Sequence, residues 1–188
     1  PHQPTIELNV NADESPDYHN RRIWYGYGPW DYAVEPYNDW CEKNRSSAPF
    51  KLHTGHSYGR IVRDQQADFD QHPEYFALVK GERVGPRGNA KFCISNPSLR
   101  KTGLAFAHKY FKDRPDEASI SLDPSDGGGW CECQPCQKMG SISDRALTLA
   151  NDVAAAFPEK FVGMYAYSFH SPPPNIRARS NVIISTAT

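Results

Sequence analysis

The sequence predicts an α/β fold with parallel strands, and three observations lead there. Short β-type runs alternate with helical stripes, polar glycine-bearing segments follow the strands, and 188 residues suit one hydrophobic core. A closed eight-stranded barrel takes about 250 residues, so the chain reads either as an open sheet or as a (β/α) barrel-like (TIM-type) fold, incomplete here with about five or six strands.

The opening 20 residues, rich in Asp, Asn, Pro and Glu, read as a polar arm, and Arg21 to Tyr25 as a short strand broken by Gly26, Gly28 and Pro29. Tyr37, Trp40 and Cys41 suit a short amphipathic helix from Val34 to Arg45. Phe50 to Thr54 is a strand candidate ending at Gly55-His56, and Asp64 to Tyr75 reads as a charged loop or irregular turn. Phe76 to Val79 reads as a strand leading into a turn at Lys80-Gly81-Glu82.

Asn96-Pro97 is an N-cap followed by proline at the first helical position, and Leu99, Gly103, Phe106, Ala107, Tyr110 and Phe111 make a stripe that stops before Pro115. Ala118 to Leu122 is a strand and Asp123 to Gly140 a loop. Ser141 or Ser143 opens a second helix with Ala146, Leu147, Ala150, Val153 and Ala154 on one face, ending before Pro158. Phe161 to Tyr167 and Val182 to Ser185 are strands on either side of an extended Pro172-Pro173-Pro174 loop.

Twenty-one Lys and Arg against 22 Asp and Glu leave a formal charge of −1 with no basic block, so nucleic acid is not an expected partner. No apolar run approaches the ~20 residues of a membrane helix, and membrane insertion is not expected. The start at Pro1, without Met, reads as a fragment or a mature form.

Parallel α/β folds gather function past the carboxyl ends of strands. There the densest polar run is Ser121 to Trp130, where Asp126 precedes three glycines that let a ligand approach the backbone. A carboxylate at a strand end beside Trp130, which can stack on a sugar face, suits general acid work; the plainer reading makes Asp123 and Asp126 turn caps. His56 and His72 fall near the same strand ends, and Tyr165, Tyr167 and His170 close the penultimate strand, where a hydroxyl can donate to a substrate carbonyl.

Cys131, Cys133 and Cys136 resemble half of a zinc site, with Cys93 the best candidate for a fourth ligand; disulfides or free thiols remain alternatives, although Cys131 and Cys133 pair badly with each other. Their role reads as structural. Asn44-Arg45-Ser46 is a glycosylation sequon, of weight only in a secreted protein.

Gly55-His56-Ser57, His72 to Ala77, Cys93 to Pro97, Ser125 to Cys133 with Cys136, and Ala166-Tyr167-Ser168 resemble the family catalogued as domain of unknown function 4838. The resemblance covers about Arg22 to Ser185 and implies a glycoside-hydrolase-like (β/α) barrel domain over residues 21–188, in bacterial proteins that are exported or periplasmic. It implies action on N-acetylglucosamine-containing glycans in the manner of endo-β-N-acetylglucosaminidases, by substrate-assisted retaining catalysis without a required cofactor.

On that expectation Asp126, Ser125 and Tyr167 are catalytic, while His56, Trp130, His72, Glu74 and Asn96 contact the glycan. Cys93, Cys131, Cys133 and Cys136 hold a structural zinc or form disulfides, and Cys41 stays free. Relatives often carry Asn where this chain has Ser125, so the second catalytic group is not identified, and the alternative functions are a non-catalytic carbohydrate-binding domain or a zinc-stabilised structural module.

Overall fold

The computed structural model describes residues 30–46, 51–85 and 89–186. The chain forms two compact units, Pro1–Phe50 and Lys51–Thr188. The expected polar arm and the strand at Arg21 to Tyr25 lie outside the described residues.

In the first unit a short 3-10 turn, Asp31–Ala33, runs into helix α1, Val34–Lys43, close to its expected bounds. Asp39 and Lys43 pair across one turn at 2.7 Å, and Asn44 of the sequon closes the helix by donating from Nδ2 to the Trp40 carbonyl at 2.8 Å.

The second unit starts with α2, Tyr58–Asp64, and α3, Gln66–Gln71, followed by a 3-10 turn at Pro73–Tyr75. Helix α3 corrects the charged loop or irregular turn expected at 64–75. Tyr58, Ile61 and Val62 recur at helical spacing and are buried, as is Phe69, so two short helices form because their apolar residues reach the core. Tyr58 stacks on Phe92 with ring centroids 4.2 Å apart, and Phe69 meets Phe76 and Phe92 at 5.2 and 5.4 Å.

Strands β1, Leu78–Val79, and β2, Glu82–Arg83, form a small antiparallel hairpin. Helix α4, Pro97–Asp113, starts as its cap predicts: Asn96 Oδ1 accepts from the amides of Ser98 at 2.9 Å and Leu99 at 3.3 Å. Strand β3, Ser119–Ser121, precedes α5, Gln134–Lys138, a five-residue helix inside the segment expected to be loop. Helix α6, Ile142–Ala156, opens on a reciprocal capping box between Ser141 and Asp144. Strands β4, Phe161–Ala166, and β5, Val182–Thr186, complete the set.

Strands β3, β4 and β5 lie in that order in one parallel sheet, with Ile120 opposite Val162 and Val162 opposite Val182. The parallel α/β arrangement is therefore as the sequence predicts, but the sheet has three strands among the described residues and does not close into a barrel. Ile120, Val162 and Met164 are buried in the main core, where α6 packs on β4 and α4 packs on α6. None of the described helices is long and apolar enough to cross a membrane.

Residues 51–54 do not form the expected strand. Ser119 Oγ donates to the Lys51 carbonyl at 2.8 Å and accepts the His53 amide at 2.8 Å, while Ser121 Oγ donates to the Gly55 carbonyl at 2.6 Å. Side-chain hydroxyls on β3 thus take the place of a strand ladder, and regular pairing is reduced to a single parallel bridge between His56 and Asp123. Gly163 makes room for this crossing segment, since a Cβ there would stand 2.1 Å from the His53 carbonyl oxygen.

Candidate functional site

Three segments converge at the carboxyl ends of β3 and β4: residues 55–57, the loop 123–130, and the stretch 167–170. Asp123 joins them. It is 1% exposed; its carboxylate accepts the Gly55 amide at 2.6 Å, the Tyr165 amide, and the Ser121 hydroxyl at 3.3 Å. Burial raises its pKa, and the two backbone donors only partly oppose that. Tyr58, buried nearby, has its hydroxyl pushed up as well, by burial first and then by the Asp123 charge.

Around this anchor the contacts close a ring. His56 donates from Nδ1 to the Pro124 carbonyl at 2.8 Å, which leaves Nε2 as its acceptor. Its ring lies 6.4 Å from Tyr167, Tyr167 lies 6.3 Å from His170, and His170 lies 5.9 Å from Trp130. The Lys91 ammonium sits 5.3 Å over the Trp130 ring and returns to the loop, donating to the carbonyls of Ser125 at 2.5 Å and Asp126 at 2.7 Å.

The electrostatics of the ring follow from burial. Lys91 is 2% exposed, and desolvation lowers its pKa to about 8 against the opposing pull of the Asp126 charge. The pKa of His170 is lowered by burial and then by the Lys91 ammonium nearby. His170 Nδ1 and Trp130 Nε1 are buried without a hydrogen-bond partner among the described residues. Ser168, with φ +48°, holds the 167–170 stretch in a left-handed conformation that non-glycine residues seldom adopt.

Asp126 is exposed, and its Oδ1 accepts the Gly127 amide at 2.7 Å. Ser125 is buried, Tyr167 is at the surface, and Trp130 is half-buried against Lys91. These four and His56 are the predicted site residues that the fold gathers. The remaining three stand elsewhere: His72 Nδ1 bonds Glu74 Oε1 at 2.9 Å and stacks on Tyr75 at 4.9 Å, and Asn96 spends its Oδ1 on capping α4. The Glu74 pKa is held down by a backbone amide first, then by His72 and Arg83.

The four cysteines come together. The Sγ atoms of Cys93, Cys131, Cys133 and Cys136 lie within 4.8 Å of one another, a grouping able to hold a metal ion. Cys93 Sγ is 3.6 Å from Cys133 Sγ and 3.8 Å from Cys136 Sγ, and all five cysteines of the chain are unpaired. Hydrogen bonds from Cys131 and Cys136 hold the Cys93 thiol far below its ordinary pKa, and the Cys136 thiol, donating within that cluster, is raised.

Two residues of the ring escaped the sequence reading. Asp123 looked like a turn cap, and its signal was a carboxylate at the end of the apolar run Ile120-Ser121-Leu122. Lys91 sits in Ala90-Lys91-Phe92-Cys93-Ile94, where a lone ammonium among apolar residues marks a buried charge.

No curated protein and no solved structure matches the chain. The profile of one family, Domain of unknown function (DUF4838), matches residues 1–188, and with the whole length covered, the chain belongs to that family.

Proposed function

We propose that the ring around the 123–130 loop is a carbohydrate site, and that the chain acts as a glycoside hydrolase on N-acetylglucosamine-containing glycans. The observation that carries the reading is the closed circuit from Asp126 through Lys91, Trp130, His170 and Tyr167 to His56, at the carboxyl ends of adjacent parallel strands. Flat rings beside a solvent-facing carboxylate are what a polar, apolar-faced sugar ring requires. On this reading the parallel sheet is an arc of a (β/α) barrel, and the glycan belongs to the exported side of the cell.

The chemistry is substrate-assisted and retaining. The acetamide oxygen of the sugar attacks the anomeric carbon as the glycosidic C–O bond breaks, and the departing oxygen takes a proton. Asp126 supplies that proton or polarises the acetamide N–H, Tyr167 donates its hydroxyl to the acetamide carbonyl, and His56 Nε2 accepts from a sugar hydroxyl. Water then opens the cyclic intermediate with retention. Lys91 holds the loop in place through the Ser125 and Asp126 carbonyls, and the buried Ser125 positions its neighbour. No cofactor enters these steps, and the cysteine cluster is structural.

The test is hydrolysis of aryl N-acetyl-β-glucosaminides and of the chitobiose core of N-glycans, run beside Asp126→Ala. Cleavage lost in the variant supports the reading; cleavage undiminished in Asp126→Ala overturns the role of Asp126, and absence of cleavage overturns catalysis. A second reading, glycan binding without turnover, is favoured by one observation: Asp126 is the single exposed carboxylate of the ring, because Asp123 is buried and committed to backbone amides. Glycan binding by a chain that does not cleave would select it.

A further inference from the structure

The four cysteine sulfurs lie outside the chemistry just described, and their arrangement is too regular for unrelated thiols. Cys131, Cys133 and Cys136 come from one short stretch leading into α5, and Cys93 comes from the run before α4. A disulfide would bring two sulfurs to about 2.05 Å. Cys93 Sγ instead stands 3.6 and 3.8 Å from two partners, and a tetrahedron with metal–sulfur bonds of about 2.3 Å has edges of about 3.8 Å.

The surroundings match that geometry. The Leu78 amide donates to Cys131 Sγ at 3.3 Å and the Ser95 amide to Cys136 Sγ at 3.4 Å, and the Ser95 hydroxyl lies 3.1 Å from Cys136 Sγ. The Arg83 guanidinium, which donates to the Phe76 carbonyl at 2.8 Å, adds positive charge beside a site that four thiolates and one divalent ion would leave negative. Ala77, Leu78 and Val79 pack around the cluster and keep it dry. Three of the sulfurs belong to buried residues and the fourth to a half-buried one, so no coordination position is left open for substrate.

We propose that Cys93, Cys131, Cys133 and Cys136 form a closed tetrathiolate zinc site that clamps the two segments flanking the 123–130 loop. Four soft ligands in a tetrahedral set select zinc over calcium or magnesium. Each thiol that binds gives its proton to solvent, and the metal then links the run before α4 to the stretch that enters α5. Two ring residues sit beside ligands, Lys91 two positions before Cys93 and Trp130 immediately before Cys131, so the clamp sets where both stand.

The test is metal analysis of the untagged chain purified from zinc-supplemented medium, which reads the site whether or not the ring cleaves glycans. The expected result is about one zinc per chain, released as a mercurial titrates four thiols, retained in Cys41→Ser and lost in Cys133→Ser. Where Cys133→Ser fails to fold, cobalt decides on the unaltered chain: reduced, metal-free protein titrated with cobalt(II) gives thiolate charge-transfer and intense visible bands that saturate at one equivalent and bleach with zinc. A chain with neither zinc nor those bands overturns the proposal. So does iron in place of zinc, or a mass showing a disulfide among the four.

Discussion

The carboxylate of Asp123 accepts the backbone amide of Gly55 at 2.6 Å, across 68 residues of sequence, and in doing so joins the irregular 51–56 segment to the end of β3. The same carboxylate takes the Tyr165 amide from β4, so one buried side chain sets three segments. Asp123→Ala leaves both amides without an acceptor in a dry site, and the expected loss is about 3 kcal/mol of unfolding free energy. Urea denaturation checks it; a loss within 0.5 kcal/mol, the scale of an ordinary surface change, would show the anchor to be dispensable.

Gly163 lies beneath that segment. An added methyl would meet the His53 carbonyl oxygen at 2.1 Å, and backbone cannot swing away as a side chain can. Gly163→Ala is expected to cost about 1–3 kcal/mol and to disturb the Thr54 hydroxyl's bond to the Tyr165 hydroxyl, now 3.0 Å. Thermal unfolding gives the first quantity, and amide exchange in β4 reports the second.

Lys91 makes a pH prediction with a definite sign. Its pKa is about 8 in the folded chain, lowered by burial, against about 10.4 for a free lysine. Between those values the unfolded chain binds more protons than the folded one, so Lys91 makes stability rise as pH increases from about 8 to about 10.4. In Lys91→Met that contribution is absent, so the melting temperature of the parent minus that of the variant should grow more positive across the window, a widening in the parent's favour. Parallel melting curves at pH 7.5 and 9.5 would show no such widening if the ammonium were solvated.

Asp126 and Asp123 separate function from stability on neighbouring positions. Asp126 is exposed and the one described hydrogen bond of its carboxylate is from the adjacent Gly127 amide, so Asp126→Asn should leave the melting temperature unchanged. On the proposed chemistry kcat/KM falls about 10²–10⁴-fold, the range for loss of a general acid, with glycan affinity retained. Tyr167→Phe removes a hydroxyl and keeps the ring, and a loss of about tenfold in kcat/KM with little change in KM fits a donor that acts in the transition state.

Helices α4 and α6 were legible in the sequence because a 3.6-residue apolar stripe, a cap and a following proline agree along each. Strands β3, β4 and β5 announced themselves by β-branched and aromatic runs between turn residues. Helix α3 was misread as loop because its charged residues surround a single buried position, Phe69, and α2 was not read at all because it buries only Tyr58, Ile61 and Val62; at that length burial decides whether a helix forms. The expected strand at 50–54 failed for a different reason: Ser119 and Ser121 offer hydroxyls where a strand would offer a ladder, and no local pattern in 51–54 reports that.

The sequence by itself determined the α/β class, the cysteine grouping, and the placing of Asp126, Trp130 and Tyr167 at strand ends, because those depend on periodicity and short spacings. Only the tertiary structure decided that Cys93 joins cysteines some 40 residues away, that Asp123 is the buried anchor while Asp126 faces solvent, and that Lys91 closes the ring. Each of these depends on which groups lose water when distant segments meet, and desolvation is a property of the packed chain rather than of neighbours along it.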